Sequence, residues 1–421
     1  MNDIHHERFP SVSNVFIMSS DRSSKILSIL SLILVFSIPF PIRVNSFFVA
    51  FVFFLFSVLV IKEKRLKYNF VKPTAGLLII GLFLISLFGL AYTSNLEQGW
   101  KNLERSAFLI SFLFIVYQMR GLNIQVFKLI VTFAVGCFAV ALFGLAYTLI
   151  VLKGDQQKQV FEFGHTYFAD IILIHPVYLS IYLIFIFFSI LETIRTRKSQ
   201  LSIGGKIGLA LAQIFILGLL FFLRSQMSLI TFAMLLVMYT IIILKRRAWL
   251  VTFVLFTIAL LVFLLDQNRV TTFFDTYGKN VSTALDQRFS VWHGAIEGIK
   301  TAPFFGAGTG GEQQLINKGY AKTGYQEGID NSYNAHNQYL QFMARNGILE
   351  LGCFLALLIY SFRQSLKMPN YTFLMFNMSV TLIMFTESFL DVQRGIVFFY
   401  FFLCAFIYLP YESTSQPMKD V

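Results

Sequence analysis

The feature that most restricts this chain is a succession of long apolar runs that never alternate with polar residues. A hydrocarbon core about 30 Å thick needs about 20 apolar residues per helical span. Lipid offers the backbone no hydrogen-bond partners, so only helices and closed barrels can cross it. Continuous rather than alternating runs select helices. The runs cover 25–40, 46–61, 75–92, 106–118, 127–152, 171–191, 207–223, 226–244, 249–265, 347–362, 371–386 and 395–410. The expected fold is therefore all-α: a polytopic integral membrane protein of about twelve transmembrane helices. Only 13% of its residues are charged, against about 25% in soluble domains, and the mean hydropathy is +0.68.

The net charge of +12 does not point to nucleic acid, because most Lys and Arg residues sit in clusters at the ends of the apolar runs. Such clusters orient spans, with the positive loops inside. With the N-terminus inside, 20 of the 34 Lys and Arg residues are cytoplasmic, 7 lie in short outer loops and 7 in the long stretch 266–346. The expected organisation is a cytoplasmic tail over 1–24, spans one to nine over 25–265, an outer loop over 266–346, spans ten to twelve over 347–410, and a cytoplasmic tail over 411–421. Cys137, Cys353 and Cys404 fall inside apolar runs and read as small core residues. No metal-ligand spacing is present, and neither a metal nor a cofactor is expected.

The long loop carries the candidate chemistry. Asp286 can cap a helix running to about Lys300, with Phe289, Trp292, Ile296 and Ile299 at helical spacing. Gly306 to Gly311 reads as a flexible turn, 319–331 as irregular loop, and a second helix starts near Ser332 or Asn334 and ends at Asn346-Gly347. The loop is expected to hold two amphipathic helices rather than a separate domain. Arg288 falls in the first turn of the first helix, where free N–H groups and a guanidinium suit an anion; the other reading is an ordinary solvated charge. Arg224, between two spans with almost no loop, either reaches the lipid headgroups or serves a site. His336 shares a face with Tyr339, Leu340 and Met343, and is either a satisfied core residue or a proton acceptor near neutral pH. Glu387, Asp391 and Arg394 at the outer ends of spans eleven and twelve read as a structural ion pair. The residues alone reach an outer-face site for an anionic lipid. A transporter would place charges or broken helices near mid-bilayer in paired halves, and no repeat is visible.

Three patches resemble the O-antigen ligase superfamily: Leu223-Arg224-Ser225; Arg288-Phe289-Ser290-Val291-Trp292 with Pro303-Phe304-Phe305-Gly306-Ala307-Gly308; and Ala335-His336-Asn337-Gln338-Tyr339-Leu340 leading to Asn346-Gly347. Together they span roughly 210–360. The resemblance implies a glycosyltransferase of the bacterial inner membrane that uses neither metal nor nucleotide sugar, with the 266–346 loop periplasmic. Its donor would be a glycan on undecaprenyl diphosphate and its acceptor lipid A–core or another envelope hydroxyl; membrane lipids, and no nucleic acid, complete its partners. By the same resemblance Arg224 and Arg288 would bind the diphosphate, His336 would be the general base, and Asn337, Tyr339, Gly306 and Gly308 would support them. Many members carry proline before the histidine, where this chain has Ala335. A polysaccharide polymerase and a protein O-oligosaccharyltransferase are the alternatives within the superfamily; a lipid-linked glycan transporter is the alternative outside it.

Overall fold

The computed structural model describes residues 22–62, 72–122, 124–154, 168–223, 225–244 and 280–411. These form α1 (Arg22–Ser37), α2 (Ile42–Lys62), α3 (Pro73–Gly89), α4 (Leu96–Met119), α5 (Val126–Gly154), α6 (Phe168–Ile172), α7 (Pro176–Thr196), α8 (Ile203–Leu223), α9 (Gln226–Leu244), α10 (Asn280–Ile299), α11 (Glu312–Thr323), α12 (Gln326–Asp330), α13 (Gln338–Ser365), α14 (Thr372–Ile383) and α15 (Gln393–Tyr408). Among the described residues, five helices are long and apolar enough to cross a membrane, and five more are shorter and apolar. Eleven of the twelve expected spans coincide with helices; the ninth, 249–265, lies outside the described residues, as do 1–21 and 412–421 of the two tails.

The apolar helices sort into a centre and a rim. In α7, 83% of the most apolar stretch is buried, against 22% in α8 and 28% in α2. At the centre α5, α7, α14 and α15 interlock through phenylalanines, with Phe185–Phe402 and Phe133–Phe402 centroids 5.1 Å apart. The rim exposes Phe47, Phe54, Ile203, Ile207 and Ile214, as helices facing lipid do.

Polar contacts divide the loops between two ends. At one, Arg105 donates to the Asp391 carbonyl at 3.0 Å, and Arg394 donates to the carbonyls of Phe40 and Leu173. At the other, Lys72 donates to the Ile407 carbonyl at 2.9 Å and the Tyr371 N–H donates to Glu192 at 3.1 Å. Each of these contacts joins loops that the charge bias assigns to the same side.

The loop beyond α9 differs from its expected form. α10 begins at Asn280, so Asp286 lies within it rather than at its start. Its inward face is Val291, Ala295 and Ile299, whereas Phe289 is 60% and Ile296 40% exposed. The stretch expected to be irregular contains α11, which lies directly on α10: a Cβ on Gly319 would collide with the Gly294 carbonyl and sit 2.5 Å from the Gly298 nitrogen. Leu315, Ile316, Tyr320, Ala335 and Ala344 complete a small core separate from that of the bundle. The loop thus has a core of its own. The missed signal was Gly294, Gly298 and Gly319, spaced to let two helix backbones touch.

The glycine turn is a docking element rather than a flexible link. The Thr309 N–H donates to the Gly89 carbonyl at 3.2 Å, and its hydroxyl donates to the Ser86 carbonyl at 2.8 Å. α13 breaks at Asn346 and Gly347, where the expected stop lies. Tyr92 closes this corner by donating to the Phe305 carbonyl at 2.8 Å.

Candidate active site

Two short segments meet at the end of the bundle where the loop docks. One is 332–338, which leads into α13; the other is 384–391, which joins α14 to α15. The Gln338 N–H donates to the Met384 carbonyl at 2.8 Å, the Leu390 N–H to Gln338 Oε1 at 2.6 Å, and Asn337 Nδ2 to the Phe385 carbonyl at 3.1 Å. These bonds hold the two chains side by side and set the position of His336 relative to Glu387.

α13 starts at Gln338, later than expected, because Asn337 caps it: its Oδ1 accepts from the N–H groups of Tyr339 and Leu340 at 2.9 and 3.1 Å, the usual work of an N-cap. His336 therefore precedes the helix and shares no face with Tyr339. It adopts φ +43°, a left-handed conformation uncommon outside glycine. Asn334 holds it there by accepting from the His336 N–H at 2.9 Å. Strained residues of this kind concentrate at functional sites.

The side chains converge on Glu387. Arg288 Nη2 donates to Glu387 Oε1 at 2.8 Å, and Arg288 Nη1 donates to the Thr386 carbonyl. His336 Nδ1 lies 3.5 Å from Glu387 Oε2, just beyond ordinary hydrogen-bond length. The Arg288 and Glu387 side chains are about one-fifth exposed and that of His336 one-third. Arg288 lies well past the first turn of α10, so its partner is a carboxylate rather than free helix N–H groups. Burial alone would raise the Glu387 carboxyl; contact with His336 and the Arg288 charge outweigh it and hold the group below the usual carboxylate range.

This shift has a measurable consequence. A carboxyl depressed in the folded state contributes stability that is present above its unfolded pKa, about 4.3, and is lost as pH falls through the folded value. Thermal melts of the wild type should lose midpoint steeply as pH falls below about 4.3. Glu387→Gln should flatten that acid limb, and an unchanged limb would refute the assignment.

Of the other residues singled out, Tyr339 donates to the Thr381 carbonyl at 3.1 Å and packs on Phe385, centroids 4.8 Å apart; it belongs to the bundle core. Asn337 is a helix cap. Gly306 and Gly308 pack against the Arg345 carbonyl and the Gly89 carbonyl, so they seat the loop rather than line the cluster. Arg224 lies outside the described residues. Glu387, Asp391 and Arg394 do not form one ion pair. Glu387 serves the cluster, Arg394 ties two loops, and Asp391 lies 3.4 Å from Arg345 Nη1, its carboxyl pushed up to about 6 by burial against the pull of Arg345. The overlooked signal for Glu387 was a carboxylate at a span end facing two unpaired basic candidates.

Residues 211–355 match the family model described as Wzy_C, O-Antigen ligase. The protein is a multi-pass membrane protein, and over that stretch it is similar to the O-antigen ligase domain. The matched stretch contains Arg224, Arg288 and His336, and stops short of Glu387. No curated protein matches the chain.

Proposed function

We propose that the protein transfers a preassembled glycan from undecaprenyl diphosphate to an acceptor hydroxyl, lipid A–core being the leading acceptor, at the periplasmic face of the inner membrane. The observation that carries this reading is the carboxylate of Glu387 standing between Arg288 and His336, inside and beside the stretch that matches the ligase family. With Nδ1 turned to Glu387, the neutral imidazole keeps its proton on that side and leaves Nε2 to accept one; a carboxylate that orients a histidine base in this way recurs in acyl-transfer enzymes. His336 takes the proton of the acceptor hydroxyl. The freed oxygen forms a bond to the anomeric carbon of the donor sugar as the bond to the diphosphate breaks, and the electron pair leaves on the diphosphate. Arg288, whose guanidinium has five donors, keeps several for the phosphate oxygens after its bonds to Thr386 and Glu387. Arg224 is proposed for the same diphosphate on the strength of the family resemblance. The twelve spans are read from the apolar runs, and the outward-facing loop from the charge bias.

The deciding experiment is an envelope-glycan gel of a deletion strain. A ligase deletion leaves core without long glycan. Core carrying a single repeat unit would instead identify a polymerase, and an unchanged glycan profile would sink both.

A further inference from the structure

Beside the cluster lies a cavity of about 470 Å³, inside the roughly 300–1,000 Å³ of ligand pockets. Asn334, whose Oδ1 holds the His336 N–H, lines it. The rest of the wall comes from groups the transfer step does not use: Gln98 and Arg105 on α4, Glu312 at the start of α11, and Gln341 and Arg345 on α13.

Most of these polar groups are already matched. Arg345 pairs with Glu350, Nη2 to Oε1 at 2.5 Å. Glu312 accepts from Asn102 Nδ2 at 2.6 Å and from the Gly310 N–H at 2.7 Å. Two groups are less committed. Arg105 uses Nη1 on the Asp391 carbonyl, and among the described residues its other donors have no partner. Gln341, 2% exposed, accepts from the Ala335 N–H through Oε1 at 3.1 Å, and its amide nitrogen has no partner there. The cavity therefore offers spare donors in a wall of mixed sign, two guanidinium groups against the carboxylates of Glu312, Glu350 and Asp391, with the rings of Phe342 and Tyr400 among its lining. A phosphate would meet those carboxylates. A neutral, hydroxyl-rich ligand can both accept from the arginine and amide and donate to the acids, while its C–H faces meet the rings.

We propose that this cavity is a saccharide subsite, with Arg105 and Gln341 the specificity-determining contacts to the sugar presented to His336. The assignment rests on the transfer reading for its role in the reaction. The sugar can belong to the lipid-linked donor or to the acceptor glycolipid.

The test uses full-length protein, lipid-linked glycan and acceptor glycolipid extracted from the source cells, and Arg105→Gln. The expected result is a KM about tenfold higher for one of the two extracts, the size of one lost charge-assisted hydrogen bond, with kcat unchanged. A shift in donor KM assigns the cavity to the donor sugar, and a shift in acceptor KM to the acceptor. Unchanged KM values for both, or a fall in kcat alone, would overturn the proposal while leaving the catalytic reading in place. As a second measurement, Gln98→Cys is labelled with a maleimide against the parent protein as background. Either extract should slow labelling, and no protection by both overturns the subsite. Should the wild type transfer nothing, the catalytic reading falls and the protection result still decides the cavity.

Discussion

Replacing His336 by asparagine abolishes long-glycan transfer in cells and lowers kcat in vitro by about 10²–10⁴-fold, the usual share of a general base, while leaving the protein folded. The choice of asparagine follows from the backbone. At φ +43° an alanine is a less common occupant than Asn, Asp or His, and a loss of activity would then mix chemistry with folding. Asparagine tolerates the left-handed region and cannot take the proton. The side chain is one-third exposed and its Nδ1 makes no close hydrogen bond, so its removal leaves little packing behind. Glu387 sharpens the test. If the carboxylate acts by orienting the imidazole, Glu387→Gln lowers kcat in the wild type but costs nothing further in the His336→Asn background, since residues acting as one unit are strongly non-additive. Additive losses in the double variant would separate the two residues. Transfer at the wild-type rate by His336→Asn would remove the general base from the mechanism altogether.

How much of this was legible in the sequence depends on the range of the interactions involved. Apolar runs report the solvent around each helix, a local matter, and eleven runs reappear as helices in the described residues. The charge bias, also local, assigns Arg105 and Asp391 to one side and Lys72 and Ile407 to the other, and each pair is in contact. Arg288 and His336 were visible by resemblance, and the structure brings them to one carboxylate. Glu387 was not visible in this role because its partners lie 99 and 51 residues before it in sequence, on α10 and on the segment before α13, while Glu387 itself follows α14. The helical stripe of α10 was misread because Phe289 and Ile296 are apolar yet face outward: near a membrane, hydrophobicity no longer marks the protein's interior. What marks it instead is small size, and Gly294, Gly298 and Gly319 show where α10 and α11 touch.

The same logic makes Gly310 a sensitive point in the loop. Its φ is +98°, a region in which a β-branched side chain is strained. A Cβ there would also collide with the Gly99 nitrogen, sit 2.6 Å from the Gly99 Cα and lie 2.7 Å from the Asn95 carbonyl oxygen. Those atoms are backbone at the start of α4, so no side-chain rotation relieves the overlap. Gly310→Val should therefore push the turn off α4, break the Gly310 N–H bond to Glu312 and open the cavity wall. Strain and steric overlap act together, and a loss of about 4 kcal/mol or more is expected, at the rare end of single substitutions. Thermal melts in detergent and protease digestion between α9 and α13 would read it, with the loop cut while the bundle survives. Gly324→Ala is the control: its φ is +72°, but a Cβ there meets nothing within 4 Å, so it should lose only about 1 kcal/mol. Equal effects from the two substitutions would show that backbone strain alone matters and that the docking contact with α4 contributes little.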